Sequence, residues 1–288
     1  MEYDVIIIGS GPAGISASLY VKRANLNVLI ISKGEGTLKK VEKIENYYGL
    51  DRPLSGEEIE KRGIDQAKNL GVEIINDEVI NITYDTNFKV ETVNNLYDTK
   101  KIIIATGSSR KRPNIKGITE FEGKGISYCA ICDGFFFRNK DVAVLGSKDY
   151  ALHEAEELKN VTDSVKILTN GEKLIENRSN EFDVNEKQIK ELRGNETLEE
   201  VEYEDGTKEK LDGLFIAIGT ASASDLAKKL GVMLDENNNI IVDNNMQTNV
   251  KGIFACGDCT GGTLQIAKGV YEGMQAALAV IRQVKEGK

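Results

Sequence analysis

The sequence has no tryptophan, one histidine and three prolines (Pro12, Pro53 and Pro113) among 288 residues. A single histidine, His153, leaves little room for catalytic triads or histidine-ligated metal sites. A membrane span is missing too. The longest uncharged run, Val5–Val21, is broken by Gly9-Ser10-Gly11-Pro12-Ala13-Gly14, and a spanning helix needs about 20 predominantly apolar residues. Glu2 and Asp4 stand where a signal peptide carries its basic region. No leader is visible, and the expected compartment is the cytoplasm. Positive charge is also short: 37 Lys and Arg face 46 Asp and Glu, a net of −9. That argues against nucleic acid as a partner and weighs against an acidic protein partner.

What is present is a soluble composition, 40% hydrophobic and 29% charged, with enough length for two domains. The cysteines come as two C-x-x-C pairs, Cys129/Cys132 and Cys256/Cys259. In a cytosolic chain such pairs point to redox or metal chemistry rather than structural disulfides. His153 lies among Glu154, Glu156 and Glu157 and reads as a surface histidine.

One pattern occurs twice. Asp4-Val5-Ile6-Ile7-Ile8-Gly9-Ser10 aligns without gaps on Asp141-Val142-Ala143-Val144-Leu145-Gly146-Ser147. Each is a buried strand turning into a helix, over Pro12–Ala24 and Tyr150–Lys159. A second echo follows: Ile103-Ile104-Ala105-Thr106-Gly107 resembles Phe215-Ile216-Ala217-Ile218-Gly219. A hairpin precedes each, Phe88–Val93 with Leu96–Thr99 and Glu200–Glu204 with Thr207–Lys210. The expected fold is α/β, with two Rossmann-like dinucleotide-binding domains, the second inserted in the first. The expected bounds are 1–112 with 245–288 for the outer domain and 113–244 for the inner one.

Gly9-Ser10-Gly11-Pro12-Ala13-Gly14 fits G-x-G-x-x-G between a strand and a helix. Gly9 permits the tight turn, Gly11 lets a pyrophosphate approach the backbone, and Gly14 permits close helix packing. The helix N-terminus adds amide donors and a positive dipole end. The acid expected about 20 residues on, for a ribose, is missing from the strand Val28–Ile31; Glu35 is the nearest candidate. Near the C-terminus, Gly252-Ile253-Phe254-Ala255-Cys256-Gly257-Asp258 reads strand, turn, acid, and Leu264-Gln265-Ile266-Ala267 opens an apolar helix running to Val284. Asp258 can accept from a ribityl hydroxyl.

These three motifs in this order resemble the two-dinucleotide flavoproteins over nearly the whole chain, which implies FAD. Ser127-Tyr128-Cys129-Ala130-Ile131-Cys132-Asp133-Gly134 resembles the redox site of low-molecular-weight thioredoxin reductases. The resemblance implies that Cys132 faces the flavin, that Cys129 attacks the substrate disulfide of thioredoxin, and that Asp133 moves protons. It places Gly9, Gly11, Pro12, Ala13, Gly14, Gly257 and Asp258 against the cofactor, beside the candidate Glu35 read from spacing, with Asn46, Thr106, Gly107, Gln265 and Ile266 nearer the ring. It also implies a homodimer, and two orientations of the domains, since one pair must meet both flavin and a bulky protein disulfide. Cys256/Cys259 read either as small buried residues lining the flavin turn or as a second redox pair; all four cysteines could formally hold zinc.

The second loop departs from the family. Where G-x-G-x-x-A should stand, the chain has Gly146-Ser147-Lys148-Asp149-Tyr150-Ala151, and the His-Arg-Arg run that should grip a 2′-phosphate is replaced by Thr169-Asn170-Gly171-Glu172. Thr220–Ser224 replaces an expected proline. This resembles the ferredoxin-dependent flavin thioredoxin reductases, and implies ferredoxin as donor. A nicotinamide donor bound in an unusual way, or a silent flavoprotein module, are the alternatives. Arg110, Lys111, Arg112 and Lys116, or Lys39, Lys40 and Lys43, are the candidate docking charges for an acidic ferredoxin.

Overall fold

The computed structural model describes residues 2–34, 36–107, 113–175, 181–219 and 222–287; for Thr37, Lys40 and Cys132 only the backbone is described. The chain divides into two compact units, Met1–Ser109 with Ser222–Lys288, and Arg110–Ala221 between them.

The outer unit opens with β1 (Glu2–Ile8), α1 (Pro12–Arg23) and β2 (Val28–Ser32). β1 and β2 pair in parallel, and their near-continuous apolar runs suit a sheet covered on both faces. Then follow α2 (Gly56–Asn69), β3 (Glu73–Asn76), β4 (Val79–Tyr84), β5 (Phe88–Thr92) and β6 (Leu96–Ile104). α2 starts where Ser55 Oγ accepts from Glu58 N, with Glu57 and Glu58 on the positive dipole end. The expected hairpin strand Leu96–Thr99 and the run ending at Ile104 are one nine-residue strand. Its first half pairs antiparallel with β5, while β1 runs parallel along its other edge.

The inner unit holds β7 (Ile126–Ser127), α3 (Ala130–Asp133), β8 (Val142–Leu145), α4 (Asp149–Lys159), β9 (Val165–Leu168), β10 (Asp183–Asn185), β11 (Ile189–Gly194), β12 (Leu198–Tyr203), β13 (Lys208–Lys210) and β14 (Gly213–Ile216). Five strands form a parallel sheet in the order β10-β9-β8-β14-β7, and β11-β12-β13 form a separate antiparallel one. α4 is buried on most of its circumference. His153, read from the sequence as a surface residue, is 8% exposed. The neighbouring glutamates mislead because Glu154 is itself buried, at 1%.

The chain returns to the outer unit with α5 (Ala223–Lys229), β15 (Ile253–Ala255) and α6 (Ile266–Lys285). β15 runs parallel to the second half of β6. The return comes earlier than the expected 244/245 boundary. α5, started by a Ser222–Asp225 capping box, lies beside β4, where Lys229 Nζ donates to Ile80 O at 3.4 Å. Ile240 N donates to Cys259 O at 2.8 Å. The first crossing, expected at 112/113, falls at residues 108–112, which lie outside the described residues.

α6 packs on α1 through small residues. A Cβ on Gly273 would stand 2.1 Å from Ala13 O, and one on Gly269 only 3.7 Å from Ala13. The close approach brings the N-terminal ends of both helices to the same edge of the sheet.

Candidate functional site

The C-terminal ends of β1, β6 and β15 meet at one place. Ala105 N donates to Ile8 O at 2.8 Å and Cys256 N to Ile104 O at 3.0 Å. This is the edge of an open α/β sheet, between strands whose connections run opposite ways, where such folds bind ligands.

Each glycine of the first loop has a separate geometric duty. Gly9 has φ +110°, and a Cβ on it would lie 2.3 Å from Ala105 O. A Cβ on Gly14 would lie 2.0 Å from Gly9 O. Gly11, with φ −69° and ψ −178°, could carry any side chain, and a Cβ there would meet nothing within 4 Å. The first and third glycines serve the fold, and the second leaves an opening. Pro12 stands at the first position of α1 and removes no bonded N–H. Ala13 is the surface on which α6 and the Gly257 turn close: a Cβ on Gly257 would sit 2.9 Å from Ala13 Cβ.

Around that opening stand the other candidates. Thr106 Oγ1 is buried without a hydrogen-bond partner among the described residues. Gly107 has φ +77° and open space where a Cβ would point. Asp258 begins a 3-10 turn after Gly257. Asn46 Nδ2 donates to Gln265 Oε1 at 3.2 Å, joining two candidates 219 positions apart. Gln265 caps α6, and Ile266 is its first residue. Glu35 lies outside the described residues.

Two residues at this edge escaped the sequence analysis. Glu272 Oε2 accepts from Gly257 N at 2.8 Å, Thr260 Oγ1 at 3.0 Å and Lys268 Nζ at 2.9 Å. Lys268 Nζ also donates to Gly257 O at 3.0 Å and Thr260 Oγ1 at 3.1 Å. Both peptide groups of Gly257 are thus held by one ion pair on α6. The available signal was a Lys–Glu pair at i,i+4 within a mostly apolar helix. Beneath the turn, Cys256 and Cys259 are free and buried. Burial raises both thiols, Cys259 to about 12.

In the inner unit, Cys129 is disulfide-bonded and 1% exposed, and the side chain of Cys132 lies outside the described residues. Cys129 N donates to Ser127 Oγ at 3.1 Å, and Ser127 Oγ donates to Asp133 Oδ2 at 2.6 Å. Ser127 therefore ties the candidate proton carrier Asp133 to the cysteine backbone. Glu154 Oε2 accepts from Ala130 N at 2.8 Å, pinning the first residue after Cys129. Neither partner was singled out from sequence. Outside the pair, Ile131, Phe135 and Phe136 are exposed (48%, 63% and 69%), with the Arg138 guanidinium 4.5 Å from the Phe135 ring centroid.

The second glycine loop repeats the backbone of the first. A Cβ on Gly146 would lie 2.2 Å from Ala217 O, and Ala217 N donates to Leu145 O at 2.9 Å. Lys148, exposed, occupies the cap position that Gly11 leaves open. The segment after β9 folds back onto the loop. Ser147 Oγ donates to the Glu172 carboxylate, and Ile175 N donates to Ser147 O at 3.2 Å.

Of the candidate docking charges, Arg110–Arg112 lie outside the described residues. Lys116 pairs with Glu191 at 2.6 Å and Lys43 with Glu45 at 3.0 Å. Lys39 donates to Gly34 O. The side chain of Lys40 lies outside the described residues.

Comparison with known proteins agrees with this layout. Residues 3–279 match the family model for pyridine nucleotide-disulphide oxidoreductases. A thioredoxin reductase from Ureaplasma parvum is 36% identical, over 96% of this chain and 95% of its own. The solved structure of an atypical thioredoxin reductase from Desulfovibrio vulgaris Hildenborough is 40% identical, with TM-score 0.93 over 99% of this chain and 98% of that one. A ferredoxin-flavin thioredoxin reductase from Clostridium acetobutylicum is 28% identical, with TM-score 0.73 over 99% of both chains. The chain belongs to the pyridine nucleotide-disulphide oxidoreductase family and, within it, to the thioredoxin reductases, flavoproteins that bind FAD and reduce a disulfide of thioredoxin.

Proposed function

We propose that this thioredoxin reductase takes its electrons from reduced ferredoxin rather than from a nicotinamide. The observation that carries the reading is the closed second glycine loop. Lys148 takes the cap position that Gly11 holds in the first loop, Glu172 holds the loop hydroxyl, and Ile175 N donates to the Ser147 carbonyl. The donor set no longer suits a pyrophosphate, and Thr169-Asn170-Gly171-Glu172, directly after β9, offers no arginine to hold a 2′-phosphate.

FAD fits the first loop, which keeps the opening at Gly11 and the unpaired Thr106 hydroxyl. Gly9, Gly11, Pro12, Ala13 and Gly14 would hold the pyrophosphate side, and Gly257 and Asp258 the ribityl side. Asn46, Thr106, Gly107, Gln265 and Ile266 would line the ring end. When bound, FAD supplies a centre that accepts electrons singly and releases them in pairs.

The inner unit performs the exchange. Two electrons and two protons open the Cys129–Cys132 disulfide to two thiols. Asp133, held by Ser127, is the group placed to move a proton at the pair. The Cys129 thiolate attacks one sulfur of oxidised thioredoxin and expels the other as a thiolate. Cys132 then attacks Cys129, re-forms the pair and releases thioredoxin as a dithiol. The exposed Ile131, Phe135 and Phe136 give a protein substrate an apolar footing beside the disulfide. The energetics permit this donor. A plant-type ferredoxin lies near −400 mV and thioredoxin near −270 mV. The difference of about 130 mV is worth roughly 6 kcal/mol for two electrons.

Calorimetric titration tests the closed loop. NADPH and NADH are expected to give no saturable heat at millimolar concentration. Micromolar NADPH binding would overturn the reading.

A further inference from the structure

A dinucleotide loop of this kind calls for an acid just past its second strand, to accept from a ribose hydroxyl. β2 ends at Ser32 with Lys33 after it, and Glu35, the nearest acid in sequence, lies outside the described residues. A carboxylate reaches the segment that follows β2 from another element. Glu60, on α2, is 6% exposed and lies against Gly36, where a Cβ would stand 3.3 Å from its Oε2. Its Oε1 is 3.8 Å from Lys39 Nζ. Its Oε2 is buried and makes no hydrogen bond among the described residues.

A buried carboxylate oxygen without a donor is expensive, and native proteins seldom leave one. An apolar side chain would serve packing better at a position between Gly56, which abuts Leu38, and Gly63, which abuts Ile15. The packed surroundings also raise the carboxyl above its usual range, with Lys39 opposing. A pyrophosphate would be repelled here, whereas a hydroxyl supplies the missing donor.

We propose that Glu60 is the acid of the first dinucleotide site, supplied from α2 instead of from the end of β2, and that its Oε2 accepts from an adenosine ribose hydroxyl of the bound cofactor. This rests on the reading of the Gly9–Gly14 loop as the FAD site. Lys39, on the other oxygen, fixes the carboxylate so that one acceptor faces the ligand.

The test is ligand-side. The full-length protein is stripped and reconstituted with FAD, or with an FAD analogue whose adenosine ribose is 2′,3′-dideoxy, and affinity is read from flavin fluorescence. The parent protein is expected to bind FAD about tenfold or more tightly than the analogue, the worth of a hydrogen bond to a charged acceptor. Glu60→Gln should shrink the ratio and Glu60→Met should bring it to about one. Thermal melts of both variants report folding. The inference is overturned if the parent binds both ligands alike, or if a folded Glu60→Met variant keeps the full ratio. An analogue lacking a ribityl hydroxyl is the companion arm; discrimination confined to it would also overturn the ribose assignment. Gly11→Lys serves as control. If it leaves FAD binding intact, the reading of the loop fails; if it abolishes binding while Glu60→Met changes nothing, only the inference fails.

Discussion

Gly11 and Gly14 lie three residues apart in one motif, yet their substitution should separate binding from folding. Gly11 has φ −69° and ψ −178°, a conformation open to every residue, and a Cβ there meets nothing within 4 Å. Gly11→Lys should leave the stability of the flavin-free protein within about 1 kcal/mol of the parent, with a small gain from the stiffer unfolded chain. Its side chain fills the opening through which a pyrophosphate approaches the amides. Losing about two charge-assisted hydrogen bonds, at roughly 1.5–3 kcal/mol each, weakens FAD by at least a hundredfold. Gly14→Ala is the reverse case. Its Cβ would stand 2.0 Å from Gly9 O, so α1 or the β1 turn must shift by more than ~1 Å, at a cost of about 1–3 kcal/mol or more. Urea unfolding of the full-length flavin-free protein and flavin fluorescence titration measure the two effects. A Gly11→Lys variant that bound FAD as tightly as the parent would refute the reasoning. Lys148→Gly alone should create no NADPH site, because Ile175 N still holds Ser147 O.

Three further outcomes follow from named contacts. Glu272→Ala strips the acceptor from Gly257 N, Thr260 and Lys268; with side chains 11% and 18% exposed, breaking the pair should cost about 3–5 kcal/mol in urea unfolding. A loss below about 1 kcal/mol would show that the turn holds itself. Cys256 and Cys259 have folded pKa values raised by burial, the latter to about 12 from 9.0. The unfolded chain therefore loses these protons first, and stability present below about pH 9 should fall as pH rises toward 12. Cys256→Ala/Cys259→Ala should flatten that alkaline slope, and an unchanged slope contradicts the assignment. Cys129→Ser should leave flavin reduction intact and stop thioredoxin reduction, with Cys132→Ser cutting flavin off from the pair; full turnover in either variant would refute the roles given to them.

Much of the fold was legible because both halves use parallel strands whose apolar runs end in glycine. Asp4–Gly9 and Asp141–Gly146 align without gaps, and their glycines meet Ala105 O and Ala217 O in the same way. The inner boundary was misplaced because Ser222–Asn244 carries no nucleotide motif; its allegiance is set by α5 packing on β4, a long-range contact. His153 misled because charge on neighbouring residues reads as exposure, whereas Glu154 is buried to hold Ala130 N. Lys268, Glu272 and Glu60 were illegible for one reason. Each acts on a backbone group or loop brought near only by tertiary folding, whereas Ser127 acts locally, on Cys129 N and Asp133. The departure of the second loop from G-x-G-x-x-A, by contrast, was written in Lys148 and Asp149, and in the fold Glu172 accepts from Ser147 Oγ.

The most direct measurement is anaerobic stopped-flow absorbance of the oxidised holoprotein mixed with each donor. Reduced ferredoxin should bleach the flavin rapidly at low ionic strength and more slowly as salt rises, as steered association requires. NADPH, even in large excess, should leave the flavin oxidised over minutes. Rapid bleaching by micromolar NADPH, or no bleaching by reduced ferredoxin at any ionic strength, would contradict the account.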